Sequence, residues 1–143
     1  MTDDRQMLEC ISETADMGQD SLRQVLDKTD NPDLQNALQL QLREYKDISE
    51  SAAGMLADQD IPPKKAGAFA KINSRLVSEL KTMAAADPAS QIAQMVTEGS
   101  TMGVTKMTQK LHDYSGDNAQ IVSLSHKLIQ TEQANIEQMH RFL

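Results

Sequence analysis

Residues 91–111, QIAQMVTEGSTMGVTKMTQKL, decide how the rest of the chain is read. Ile92, Met95, Val96, Gly99, Gly103 and Met107 recur at helical spacing and fall on one face. Gly99 and Gly103 sit one turn apart inside that apolar stripe, where each costs about 1 kcal/mol relative to alanine. The return expected for that cost is close approach by a neighbouring helix, and Gly103 is expected to pack against the helix that carries Gly18. The run Gly99-Ser-Thr-Met-Gly103 lacks the Gly-Lys-Ser/Thr ending of a phosphate loop. Ser100 and Thr101 then become hydroxyls on the solvent side or in a groove.

Working outward, the four prolines fall in TDNPD (29–33), DIPPK (60–64) and DPAS (87–90), and Ser115-Gly116-Asp117 makes a further break. Asn31-Pro32 and Asp87-Pro88 place a capping side chain before a proline at the first helical position, which starts a helix. Asp117 with Gln120 has the spacing of a capping box. The breaks leave five helical segments near 3–28, 32–58, 62–86, 88–114 and 117–142, each about 25 residues or roughly 38 Å long.

Each segment carries an apolar seam. In the first it is Leu8, Ile11, Ala15, Gly18, Leu22 and Val25; in the second Leu38, Leu42, Tyr45, Ile48, Ala52 and Met55. The third aligns Phe69, Ile72, Leu76, Leu80 and Met83, with Asn73 intruding, and the fifth aligns Ile121, Leu124, Leu128 and Met139. No stretch alternates with period two, so strands are not expected. The fold class is all-α: five long amphipathic helices in one domain, 1–143. An echo runs through it, since Glu13, Met17-Gly18 and Leu26 recur 85 residues on as Glu98, Met102-Gly103 and Leu111.

With two Tyr, two Phe and no Trp, the core must be aliphatic, and nine Met suit the filling of gaps between helices. A net charge of −7 argues against nucleic acid, whose phosphates require a basic face. No apolar run approaches the roughly 20 residues that span a bilayer. The N-terminus MTDDRQMLEC is acidic where a signal peptide is positive, and Cys10 is the sole cysteine, so a cytoplasmic location is expected. Glu9 and Glu13 beside Cys10 should raise its pKa and dull its reactivity.

Glu13, Glu44-Tyr-Lys-Asp47, Glu98 and Glu132-Gln-Ala-Asn135 come in an order that resembles the ferritin-like, rubrerythrin-type bundle, with Asp47 and Asn135 where that family has histidines. The chain also resembles small bacterial all-helical proteins with the same Met-Gly and Gly-Ser-x-Met-Gly segments. The resemblance implies an up-down bundle with the third helix as crossover, and a divalent metal such as Fe or Mn. Helical phase places Glu44, Glu132 and Asn135 on apolar faces but turns Glu13 and Glu98 outward. A hard-cation site of Glu44, Glu132 and Asp47, with Asn135 auxiliary, is one outcome. The other pairs Glu44 and Glu132 with Lys106 or Lys110, bonds them to Asn73 and Asn135, or leaves one as a neutral buried acid. Glu137-Gln-Met-His140 lies off the apolar face, and His112 and His126 point outward. The expected function is a non-catalytic structural or protein–protein interaction role, as a homodimer, without cofactor, nucleic acid, membrane or an indicated small-molecule ligand. The alternative is a metal-binding or oxidoreductase-type protein with ligands from the second and fifth helices.

Overall fold

The computed structural model describes residues 1–62 and 88–143. Within them the chain is helical: α1 (Asp4–Val25), α2 (Pro32–Asp58), α3 (Pro88–Asp113) and α4 (Ala119–Met139), closed by a 3-10 turn at His140–Phe142. The third predicted segment, its seam from Phe69 to Met83, Asn73 and the Asp87 cap lie outside the described residues. The remaining four segments match their predicted bounds to within a few residues.

Local chemistry sets those bounds. Asn31 accepts from the backbone N–H groups of Asp33 and Leu34 ahead of Pro32, as its Asn-Pro signal implies. Asp3 and Gln6 form a reciprocal capping box on α1. At α4 the cap is Asn118, which accepts from Gln120 and Ile121, and not Asp117. The correction is one residue, because Asn118 Oδ1 already serves both first-turn donors.

The helices run as two antiparallel pairs. Residues 26–31 turn α1 into α2, which lie antiparallel, with Ser49 of α2 donating to Asp16 of α1 at 2.5 Å. Residues 114–118 turn α3 into α4. At one end Thr2 donates its N–H to the Asp113 carbonyl and accepts from Ser115, while Tyr114 donates its hydroxyl to Asp4. That clasp sets the start of α1 against the end of α3, so the two are antiparallel. Gln41 to Gln138 and Tyr45 to Asn135 make α2 and α4 antiparallel as well. Directions of the four described helices are therefore up, down, down, up.

Most seam residues behave as their spacing requires, with Leu42, Met55, Met95 and Val96 only half-buried. Leu8, Ile11, Ala15, Leu22, Val25, Leu38, Ile48, Ala52, Ile92, Met107, Ile121, Leu124, Leu128 and Met139 are all buried. Full burial of one such Leu, Ile or Met contributes about 1.5–3 kcal/mol before entropy is counted. α1 packs on all three other described helices, and Cys10 through Ala15 are buried without a break. Such a helix leaves Glu13 no outward face, which corrects its expected exposure; Glu98 on α3 is exposed as its phase implies. The organising helix is α1 rather than α3.

Candidate functional site

Near mid-bundle the core turns polar. Tyr45 from α2, Ser100 from α3, and Glu132 and Asn135 from α4 are each buried, Glu132 to 2 % exposure. Asn135 donates its side-chain N–H to the Tyr45 hydroxyl oxygen at 3.0 Å. The hydroxyls of Tyr45 and Ser100 in turn bond the Glu132 carboxyl, whose Oε2 is left without a hydrogen-bond partner. A buried acceptor in that condition costs about 1–3 kcal/mol.

The glycines explain how these side chains fit. A Cβ on Gly103 would lie 2.8 Å from Glu132 Cδ and 3.0 Å from each carboxyl oxygen. A Cβ on Gly18 would lie 2.7 Å from the Tyr45 ring. The group nearest Gly103 is therefore the Glu132 carboxyl and not the helix of Gly18. Each glycine seats a side chain of the following helix, Gly18 under Tyr45 and Gly103 under Glu132. The sequence echo between Met17-Gly18 and Met102-Gly103 has this physical counterpart. Gly99 is different, because a Cβ there would meet nothing within 4 Å.

That open space belongs to a cleft between the C-terminal half of α1 and the N-terminal half of α3. Its walls are Met17, Leu22 and Val25 on one side and Met95, Val96 and Gly99 on the other; Glu132, Tyr45 and Ser100 reach it from within. The empty space is ≈ 540 Å³, including the open mouth. Met95 and Val96 are only half-buried because they face the cleft and not a helix. Among the described residues the lining carries no cation.

Burial dominates the electrostatics. It pushes the Glu132 carboxyl from 4.5 up to about 7, against the opposing pull of the Tyr45 and Ser100 hydroxyls. Burial first, and the Glu132 charge second, push the Tyr45 phenol above its ordinary range. Lys106 and Lys110 act on Cys10, whose thiol burial raises while the two lysines lower it. The direction foreseen for Cys10 stands, but Glu13 is the smallest of its causes.

Of the four proposed ligands, the structure places Glu132 and Asn135 inside with Tyr45, whereas Glu44 and Asp47 are exposed. The inward placement of Glu44 is corrected. On α2 the buried arc is centred on Leu34, Tyr45 and Ala52, and Glu44 lies roughly 80° away from it. No group of three or more His, Cys, Asp or Glu suited to a metal ion occurs among the described residues. Of the readings open for Glu132, a buried acid whose pKa burial raises to about 7 is the one its surroundings among the described residues support. Ser100, expected on the solvent side or in a groove, is 2 % exposed. Glu137 and His140 face solvent 3.6 Å apart, and His112 and His126 are exposed too. The roles of Tyr45 and Ser100 went unread, although a tyrosine inside an aliphatic seam signals a buried partner for its hydroxyl. Compared with protein-family models, curated proteins and solved structures, the chain matches none.

Proposed function

We propose that the protein is a non-catalytic helical-bundle protein that works by binding, and that the α1–α3 cleft takes a slim, apolar ligand with a hydrogen-bond-donating head. The observation that carries this is Glu132 Oε2, a buried acceptor without a partner on a carboxyl that lines the cleft. A donor arriving there removes a cost the folded protein otherwise bears. Apolar walls with one convergent polar group are the usual make-up of a small-molecule site. Support for a non-catalytic role comes from the three histidines, all exposed and so unable to activate Ser100.

The ferritin-like arrangement belongs to the same proposal and is supported by the up-down-down-up order of helices. So does self-association as a cytoplasmic homodimer. Leu40 and Met102, 53 % and 48 % exposed, are apolar residues such a dimer would cover. Among the described residues no helix is long and apolar enough to cross a membrane. Light scattering over a concentration series should give twice the 15.8 kDa chain mass, and a strictly monomeric mass sinks that part.

The cleft is tested by nuclear magnetic resonance of the methionine methyls during titration with n-hexanol. Met17 and Met95 should respond in the native protein and stay still in a Gly99→Leu variant, whose new side chain enters the cleft. A silent native protein, or a response unchanged by Gly99→Leu, overturns the proposal.

A further inference from the structure

We infer that the head group received by Glu132 is a cationic amine, so that the cleft is a site for a primary ammonium carried on a slim apolar chain. This rests on the cleft reading above and names the ligand class. The geometry supplies three constraints. The Glu132 carboxyl lies over Gly103 with both oxygens at similar distance from where a Cβ would be, so it is fixed in place by the lack of one. Tyr45 and Ser100 satisfy only part of its capacity, and Oε2 is buried without a hydrogen-bond partner. The walls beyond it are Met17, Leu22, Val25, Met95 and Val96, which accept methylene groups and offer nothing to a second charge.

Head-group chemistries separate on those constraints. A carboxylate would set like charge against Glu132. A neutral alcohol can donate one hydrogen bond but brings no charge to compensate the desolvated carboxyl, so the Glu132 pKa stays raised. An ammonium brings three donors and the opposite charge, and a buried carboxylate is retained when it is paired. From Gly103 to Met95 the helix rises roughly 12 Å, which suits an unbranched alkyl chain lying along α3.

Binding is then coupled to ionisation. The ammonium enters, the Glu132 proton leaves to solvent, and the ion pair closes at the inner end of the cleft. Among the described residues, Tyr45 from α2 and Ser100 and Gly103 from α3 lie against Glu132, Asn135 of its own helix bonds Tyr45, and Thr14 and Gly18 of α1 line the same cleft; Tyr45 is the titratable group among these. Lys106 of α3 and Glu13 of α1 act on Cys10, the one lowering and the other raising its pKa.

The experiment is isothermal titration of the full chain with n-hexylamine, n-hexanol and hexanoate, near pH 8 and near pH 5.5, in the native protein and in Glu132→Gln and Gly99→Leu. Near pH 8 hexylamine should bind about tenfold or more tightly than hexanol, and hexanoate least. Near pH 5.5 hexylamine should weaken roughly 30-fold, because the proton must first be removed from a group of pKa about 7, while hexanol changes little. Glu132→Gln should lose the preference for amine and keep hexanol. Gly99→Leu, which leaves the polar cluster intact, should lose all three. Equal binding of hexanol and hexylamine overturns the amine inference and leaves the cleft standing. Absence of binding by all three, or binding that survives Gly99→Leu, overturns the cleft and the inference together.

Discussion

Replacing Glu132 by glutamine removes the charge and keeps the shape, and its effect on stability follows from burial alone. Below about pH 4.5 the carboxyl is protonated in both the folded and the unfolded chain. Between 4.5 and about 7 the unfolded chain gives up the proton first, so the native state binds more protons and stability falls as pH rises. Above about pH 7 both are ionised and the loss is complete. A carboxyl raised from 4.5 to about 7 makes its ionised form on the order of 3 kcal/mol less favourable in the folded state. Glu132→Gln should therefore be within about 1 kcal/mol of the native protein near pH 4.5 and more stable by about 3 kcal/mol near pH 8. For a chain of this size that corresponds to a melting temperature raised by roughly 10 °C near pH 8. Calorimetry or urea unfolding of both proteins across that range measures it, and other titrating groups cancel in the difference. A difference that does not change with pH would refute the reasoning. So would a Gln variant less stable near pH 8, since that would mean the carboxylate has a cationic partner.

Tyr45→Phe removes an acceptor for Asn135 and a donor to Glu132; chemical unfolding should show a loss of about 1–3 kcal/mol, and the Glu132 titration should move upward. Gly103→Ala should destabilise by about 1–3 kcal/mol through crowding of the carboxyl, and should gain about 1 kcal/mol in a Glu132→Ala background. That coupling, read from a double-mutant cycle, vanishes if Gly103 instead seats a helix backbone. Gly54→Ala and Gly99→Ala, where a Cβ meets nothing within 4 Å, should each stabilise by up to about 1 kcal/mol in thermal unfolding. Asn31→Ala deprives Asp33 and Leu34 of their acceptor and should cost about 1 kcal/mol in the same assay.

The helical architecture was legible because spacing and punctuation agree. Asn31-Pro32 and Pro88 start helices where the seams begin, and the seam leucines and isoleucines of the described helices are buried except Leu42, which is half-buried. Which polar residues turn inward was legible only in part. Glu132 and Asn135 fall between Leu128 and Met139, and phase placed them correctly. Glu44 and Tyr45 are adjacent in sequence and differ by one step of the helix, so a seam drawn through Leu38, Leu42 and Ile48 could admit either. Tyr45 takes the place because Gly18 leaves room for its ring and Asn135 meets its hydroxyl. Those are facts about neighbouring helices, invisible to a single helix's periodicity. For Glu13 the failure is of the same kind, since α1 packs on three helices and amphipathic phase assumes one buried face. The glycines pointed to close contact, but not to contact by a carboxyl and a phenol.

In the proposed reading, Glu132 is a desolvated acid that takes a cationic partner at the inner end of the cleft. The most direct test of that reading is carbon-detected magnetic resonance titration of the Glu132 side-chain carboxyl, alone and with saturating n-hexylamine. A midpoint of about 7 alone, falling by at least about one pH unit with the amine, is the expected result. A midpoint near 4.5 in the free protein, or one that hexylamine leaves in place, would contradict the account.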